Sequence, residues 1–290
     1  MPLFRRPDGA LIRDESPSRL IMPYLMRGRN ESVIFHEQLY DVAAAQKWLR
    51  AFNKGAGGPS ATLFHLFLWA CGKAAHQRPH MNRFVSGGRL YQRKGFWISF
   101  VAQRTFGRDS PLAPIKLEFA DPDAGLAEFV SRVTSEIERA RSDAERPVDR
   151  ETRLSIAAPH FVRRIVAALY RTGDRLNLLP GGLIRNDPLY ATFFVANLGS
   201  LGLNRTWHHL YEHGSCSLFA ALGTPCKTAF IDRTGAQTIR DGMSVRWSFD
   251  ERITDAHYCA ESLALAQRIV ESPEEYLGPP DAAIAPKPGE

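Results

Sequence analysis

The stretch from Ser60 through Ala75 constrains the fold of this chain most, because it reads as a helix that is apolar on nearly every side. A surface helix keeps one polar face, so a helix without one belongs in an interior. Ser60 is a good N-cap for it. Other elements are available to cover it. Gly87-Gly88 joins two strands, Phe96 to Ala102 reads as another, and residues 123–141 read as an amphipathic helix. Val245, Trp247 and Phe249 alternate as a strand does, and a helix with an acidic first turn follows them.

With 290 residues and 44% apolar composition, the chain can bury a sizeable core. No composition break divides it, so residues 1–290 are expected to form one domain, with an N-terminal arm over 1–20 and a disordered tail over 279–290. The net charge is +6, but the basic residues are scattered and no nucleic-acid type of Lys/Arg run occurs. No apolar segment is long enough to span a membrane, and the first residues lack a signal-peptide core. Four cysteines, Cys71, Cys216, Cys226 and Cys259, form no Cys-x-x-Cys pair, which fits reduced thiols and a cytoplasmic location.

The stretch from Trp247 to His257, Trp-Ser-Phe-Asp-Glu-Arg-Ile-Thr-Asp-Ala-His, resembles an active-site motif with its central residue replaced. The trimeric chloramphenicol acetyltransferases and the catalytic domains of dihydrolipoamide acyltransferases carry His-x-x-x-Asp-Gly after a strand ending in an aromatic and an Asp. Here the frame reads Glu251-x-x-x-Asp255-Ala256. A second segment, Phe193-Phe-Val-Ala196-Asn197-Leu-Gly-Ser-Leu-Gly202, is similar to the family's Thr-Ile-Ser-Asn-Leu-Gly. Val33 to Trp48 resembles its first long strand running into a helix opened by Asp41, and Pro79 to Asn82 its Pro-x-x-Asn turn. The resemblance implies an α/β, chloramphenicol acetyltransferase-like two-layer sandwich, with a mostly antiparallel central sheet and helices on one side. It also implies a homotrimer.

In that family the His is a general base that frees a thiol or hydroxyl to attack an acyl thioester, and the Ser donates to the tetrahedral oxyanion. The matching positions here are Glu251 and Ala196, with Asn197 the available donor if the alignment slips by one residue. Glutamate starts about two pH units less basic than histidine. The family's Asp is structural and tied to an Arg; Asp255 keeps that position, and Arg252 keeps the Arg after the base. No lipoyl or subunit-binding domain is visible, and no tightly bound cofactor is implied. A coenzyme A thioester or an acyl carrier is the implied ligand.

Outside these motifs, His209, His213 and Cys216 have spacings that would ligate zinc if helical. His208, His209 and His213 are candidates for a relocated base, and His257 is a spare expected on a first helical turn. Residues 158–171 form a basic amphipathic helix. Packing onto the domain is the commoner fate of such a helix, and lying on a membrane surface the rarer. Leu176 to Ile184 would line or cover a hydrophobic channel. Three functions compete: a catalytically altered trimer acting in binding or assembly, a coenzyme A- or carrier-dependent acyltransferase using Glu251 or a His near 208–213 as its base, and a peripheral membrane protein.

Overall fold

The computed structural model describes residues 5–103, 112–121, 123–142 and 157–283. Its main sheet holds seven strands: β2 (Val33–Asp41), β5 (Trp97–Gln103), β6 (Leu112–Glu118), β7 (Phe193–Asn197), β8 (Leu218–Leu222), β9 (Cys226–Ile231) and β10 (Gln237–Asp250). Their spatial order is β2-β10-β8-β7-β5-β6, and β9 pairs with the first part of β10. Only β5 with β7 and β7 with β8 run parallel, so the sheet is mostly antiparallel. A smaller sheet joins β1 (Gly9–Leu11), β4 (Arg89–Arg93) and β3 (Arg83–Ser86).

The core lies on one face of the main sheet, where Val245, Trp247 and Phe249 alternate inward as expected. Helices α2 (Ala43–Gly55), α3 (Leu63–Gln77), α4 (Leu126–Arg141) and α7 (Ala256–Glu271) cover that face. Helix α3 is the interior helix anticipated from the sequence, with ten of its residues buried. Each large side chain fully removed from water there contributes roughly 1.5–3 kcal/mol. Its cap is Thr62 rather than Ser60: the Thr62 hydroxyl accepts from the His65 N–H while the His65 ring accepts from the Thr62 N–H. This reciprocal pair satisfies two otherwise orphaned donors, which an isolated Ser60 cannot do. Helix α7 has no acidic side chain in its first turn, because Asp255 sits one step earlier as the cap. Asp41 likewise ends β2 and accepts from the Ala43 N–H as α2 begins.

The opposite face of the sheet carries a smaller apolar cluster, Phe194, Leu210, Cys216, Phe219 and Ala221, under the irregular segment 203–217. Beyond β10, the β9 strand has no second neighbour among the described residues, and Ile231 and Ile239 of that hairpin are exposed.

Near the N-terminus β1 is followed by helix α1 (Pro17–Leu25), and Arg6 is buried among Asp8, Asp174 and Ser86. Helix α5 (His160–Arg175) runs against the β3–β4 hairpin, not the helical layer. Gly87, at φ +56°, admits the Arg175 carbonyl so closely that a Cβ would lie 2.3 Å from it. None of the α5 residues is buried. Phe161, Ile165, Val166 and Leu169 are 50–67% exposed, which corrects the expectation that this helix packs its apolar stripe onto the domain. Its inward contacts come instead from Tyr170 and Asp174, which face His213, Arg6 and Ser86. After it, Leu176 and Leu178 are exposed and Ile184, in the short α6 (Gly181–Asn186), is buried.

Candidate functional site

The loop between β10 and α7 is built around a buried ion pair. Asp250 is fully buried and receives Arg252 Nε at 2.8 Å, Arg252 Nη2 at 2.7 Å, the Arg252 N–H at 3.1 Å and the Ser32 hydroxyl at 3.1 Å. The remaining Arg252 nitrogen donates to the carbonyls of Met26 and Arg27. This fork geometry satisfies both charges, the condition under which a buried pair is tolerated. Arg252 therefore turns to Asp250, while Asp255 caps α7 through the Tyr258 N–H at 2.7 Å. That N–H holds the Asp255 carboxyl below its ordinary pKa, with the Arg19 charge helping.

Glu251 is strung between these anchors. Its N–H donates to the Ser32 carbonyl at 3.0 Å and its carbonyl accepts from Arg19. The half-buried side chain has no hydrogen bond or ion pair among the described residues. Arg19 escaped the sequence reading because it arrives from a distant helix. Its only local signal was Ser16-Pro17, a cap followed by Pro at the first helical position.

Ala196 lies elsewhere in the chain. It pairs with Ala221 on β8, which pairs with Arg246 on β10, which pairs with Glu37 on β2. This row belongs to the sheet face away from the helices. Arg246 bridges to Glu37 at 2.8 Å and stacks on Trp207 at 4.4 Å. Glu251 stands five residues beyond Arg246 in sequence, about 16 Å at a strand's rise per residue. One chain thus holds residues 251 and 196 at separate stations. Asn197 follows at the end of β7, where its carbonyl accepts from the Ser200 hydroxyl.

The segment 203–217 crosses that same face. Asn204 accepts from the Ser244 hydroxyl, and the His208 carbonyl from Ser248. The His208 ring stacks on Phe219 at 3.9 Å between centroids, with Nδ1 2.6 Å from the His209 carbonyl. Burial holds its pKa below the ordinary value, and with Nδ1 donating, the neutral ring keeps Nε2 as an acceptor. The segment is irregular, so the helical spacing needed for zinc ligation by His209, His213 and Cys216 does not arise. His213 bonds Asp187 at 2.7 Å, the Cys216 thiol turns to the Leu218 carbonyl, and no metal-holding group of three His, Cys, Asp or Glu occurs among the described residues. His257 stands on the first turn of α7, exposed, 3.6 Å from Glu261.

No family model matches this sequence, and no curated protein matches it by sequence. Solved structures do match its fold. A probable dihydrolipoamide acetyltransferase from Listeria monocytogenes is 16% identical with a TM-score of 0.56, the match covering 97% of this chain and 98% of that one. The Azotobacter vinelandii dihydrolipoamide acetyltransferase is 15% identical with a TM-score of 0.60, covering 92% and 94%. That structure is described as probing the catalytic roles of a Ser, a His and an Asn, the last two four residues apart. A chloramphenicol acetyltransferase is 15% identical with a TM-score of 0.52, covering 91% and 98%. Among the described residues no helix is long and apolar enough to cross a membrane. The chain therefore carries, over nearly its whole length, the fold shared by dihydrolipoamide acetyltransferase cores and chloramphenicol acetyltransferase.

Proposed function

We propose that this protein is a catalytically altered acyltransferase-fold trimer that acts through binding or assembly. The observation that carries this is an intact scaffold around a replaced pair. The Asp250–Arg252 pair, Ser32 and the Asp255 cap anchor the loop by hydrogen bonds, yet position 251 presents a carboxylate and position 196 a methyl group. The spacing Glu251 to Asp255 equals that of the His and Asn probed in the Azotobacter enzyme. Within one chain the two positions are offset by about 16 Å along β10 and by two strands across the sheet, which favours an assembly, here a trimer, in which residue 251 of one chain meets residue 196 of another. A missing oxyanion donor costs about 3–4 kcal/mol, and a lost general base roughly 10²- to 10⁴-fold.

Incubation with acetyl-coenzyme A and thiol, amine or hydroxyl acceptors should give no turnover above background, and light scattering should give a multiple of three chains. Efficient turnover or a stable monomer would refute the proposal. The double change Glu251→His with Ala196→Ser should restore some transfer if only the pair was lost.

A second reading, acyl transfer with a relocated base, is favoured by one observation: His208 lies over Phe219, two residues before Ala221 on the strand beside Ala196. Turnover that survives Glu251→Gln but not His208→Gln would select it.

A further inference from the structure

We propose that the cavity between α1, the β3–β4 hairpin and α5 is a binding site for a phosphate ester carrying at least two negative charges. The site does not depend on the fate of Glu251 and Ala196. Its volume of about 620 Å3 falls in the range of small-molecule sites and exceeds what a bare phosphate fills.

The charge of its wall is one-sided. Arg27, Arg29, Arg89, Arg171, Arg175 and Arg252 line it, against the two carboxylates of Asp174 and Glu212. Both carboxylates are already engaged. Asp174 takes Arg6 at 2.8 Å and the Ser86 hydroxyl at 3.0 Å. Glu212 accepts the N–H groups of Arg29 and Asn30 and the Asn30 amide. Asp250 neutralises Arg252, while Arg29 is 6% exposed and its Nε has no hydrogen-bond partner. Arg27, Arg89, Arg171 and Arg175 have no carboxylate partner among the described residues. Like charges around one concavity repel, and a multivalent anion converts that repulsion into attraction. Guanidinium forks match phosphate oxygens in pairs.

The arrangement is also built, not scattered. Arg171 and Arg175 stand one turn apart on α5, Arg89 donates to the Arg175 carbonyl from the hairpin, and Gly87 lets hairpin and helix approach. The phosphate ester has two sources, a soluble molecule or a lipid headgroup, because Phe161, Ile165 and Leu169 lie exposed on the same helix.

The test is titration calorimetry of the full chain with inorganic pyrophosphate and with ADP, beside sedimentation with phosphatidylcholine vesicles with and without phosphatidic acid. Saturable binding to at least one probe is expected. It should weaken at least tenfold in the double variant Arg171→Gln with Arg175→Gln and stay unchanged in Arg139→Gln, an exposed α4 arginine outside the cavity. Arg27→Gln, on the facing wall, gives an independent reading should the double variant misfold. Phosphatidic-acid-dependent sedimentation lost in the double variant assigns the lipid source, and binding of the soluble probes alone assigns the soluble one. No binding of any probe, or binding indifferent to the cavity arginines, overturns the proposal.

Discussion

The loop after β10 and helix α5 treat their side chains in opposite ways. The loop takes two charges, Asp250 and Arg252, wholly out of water and satisfies each with hydrogen bonds from the same chain. Helix α5 leaves Phe161, Ile165, Val166 and Leu169 in water and turns a tyrosine and an aspartate inward. A buried ion pair is complete within one copy. An exposed apolar stripe is not: its hydrophobic contribution waits on something outside the chain. The loop therefore reports on the scaffold, and the helix on what the scaffold meets.

The largest effect should come from Asp250→Ala, which strands the Arg252 guanidinium in the interior and should cost about 3–5 kcal/mol in urea unfolding. A loss below about 1 kcal/mol would mean that water reaches this pair and that the contrast with α5 is one of degree. A comparable effect should appear with pH. Burial lowers the His65 pKa from 6.5 to about 4, so the fold binds the neutral ring. Stability is full above pH 6.5 and declines as pH falls toward 4. The gap of about 2.5 pH units corresponds to roughly 3 kcal/mol. His65→Gln should flatten that decline; an unchanged profile would place its origin elsewhere.

A smaller effect should follow Asp255→Ala, which removes the α7 cap and should cost about 1 kcal/mol in the same unfolding assay. The smallest should follow Phe161→Ala or Leu169→Ala, within about 0.5 kcal/mol at dilutions where the chains are dissociated. If these variants lose 2 kcal/mol or more only at higher protein concentration, the stripe is buried between chains, and the comparison sharpens into one between internal and shared contacts.

What was legible in the sequence was what repeats locally. Helix α3 follows from a run that is apolar on nearly every side and the inward alternation of β10 from its period of two, and Asp41 stood at its helix start, whereas the capping role of Asp255 was not read. The frame around Glu251 was legible because its flanking residues are contiguous. Contacts between distant segments were not. Nothing near Arg19 announces that it reaches the Glu251 carbonyl 232 residues away. The amphipathic pattern of α5 is the same whether its stripe faces in or out, and the Asp174 contact with Arg6 settles the direction. His209, His213 and Cys216 suggested a helical ligand set, but Ser244 and Ser248 pin that segment along β10 in an irregular course.

The β9–β10 hairpin carries a further implication. One side of β9 pairs with β10, and the other offers its N–H and C=O groups to no strand among the described residues. A strand from another molecule can add there, and the bonds it makes are main-chain bonds that do not read side chains. Replacing Ile231 or Ile239 would change how greasy such a junction is without closing it. A proline placed where β9 points its N–H outward would remove a donor from the open edge and leave the hairpin's own ladder whole.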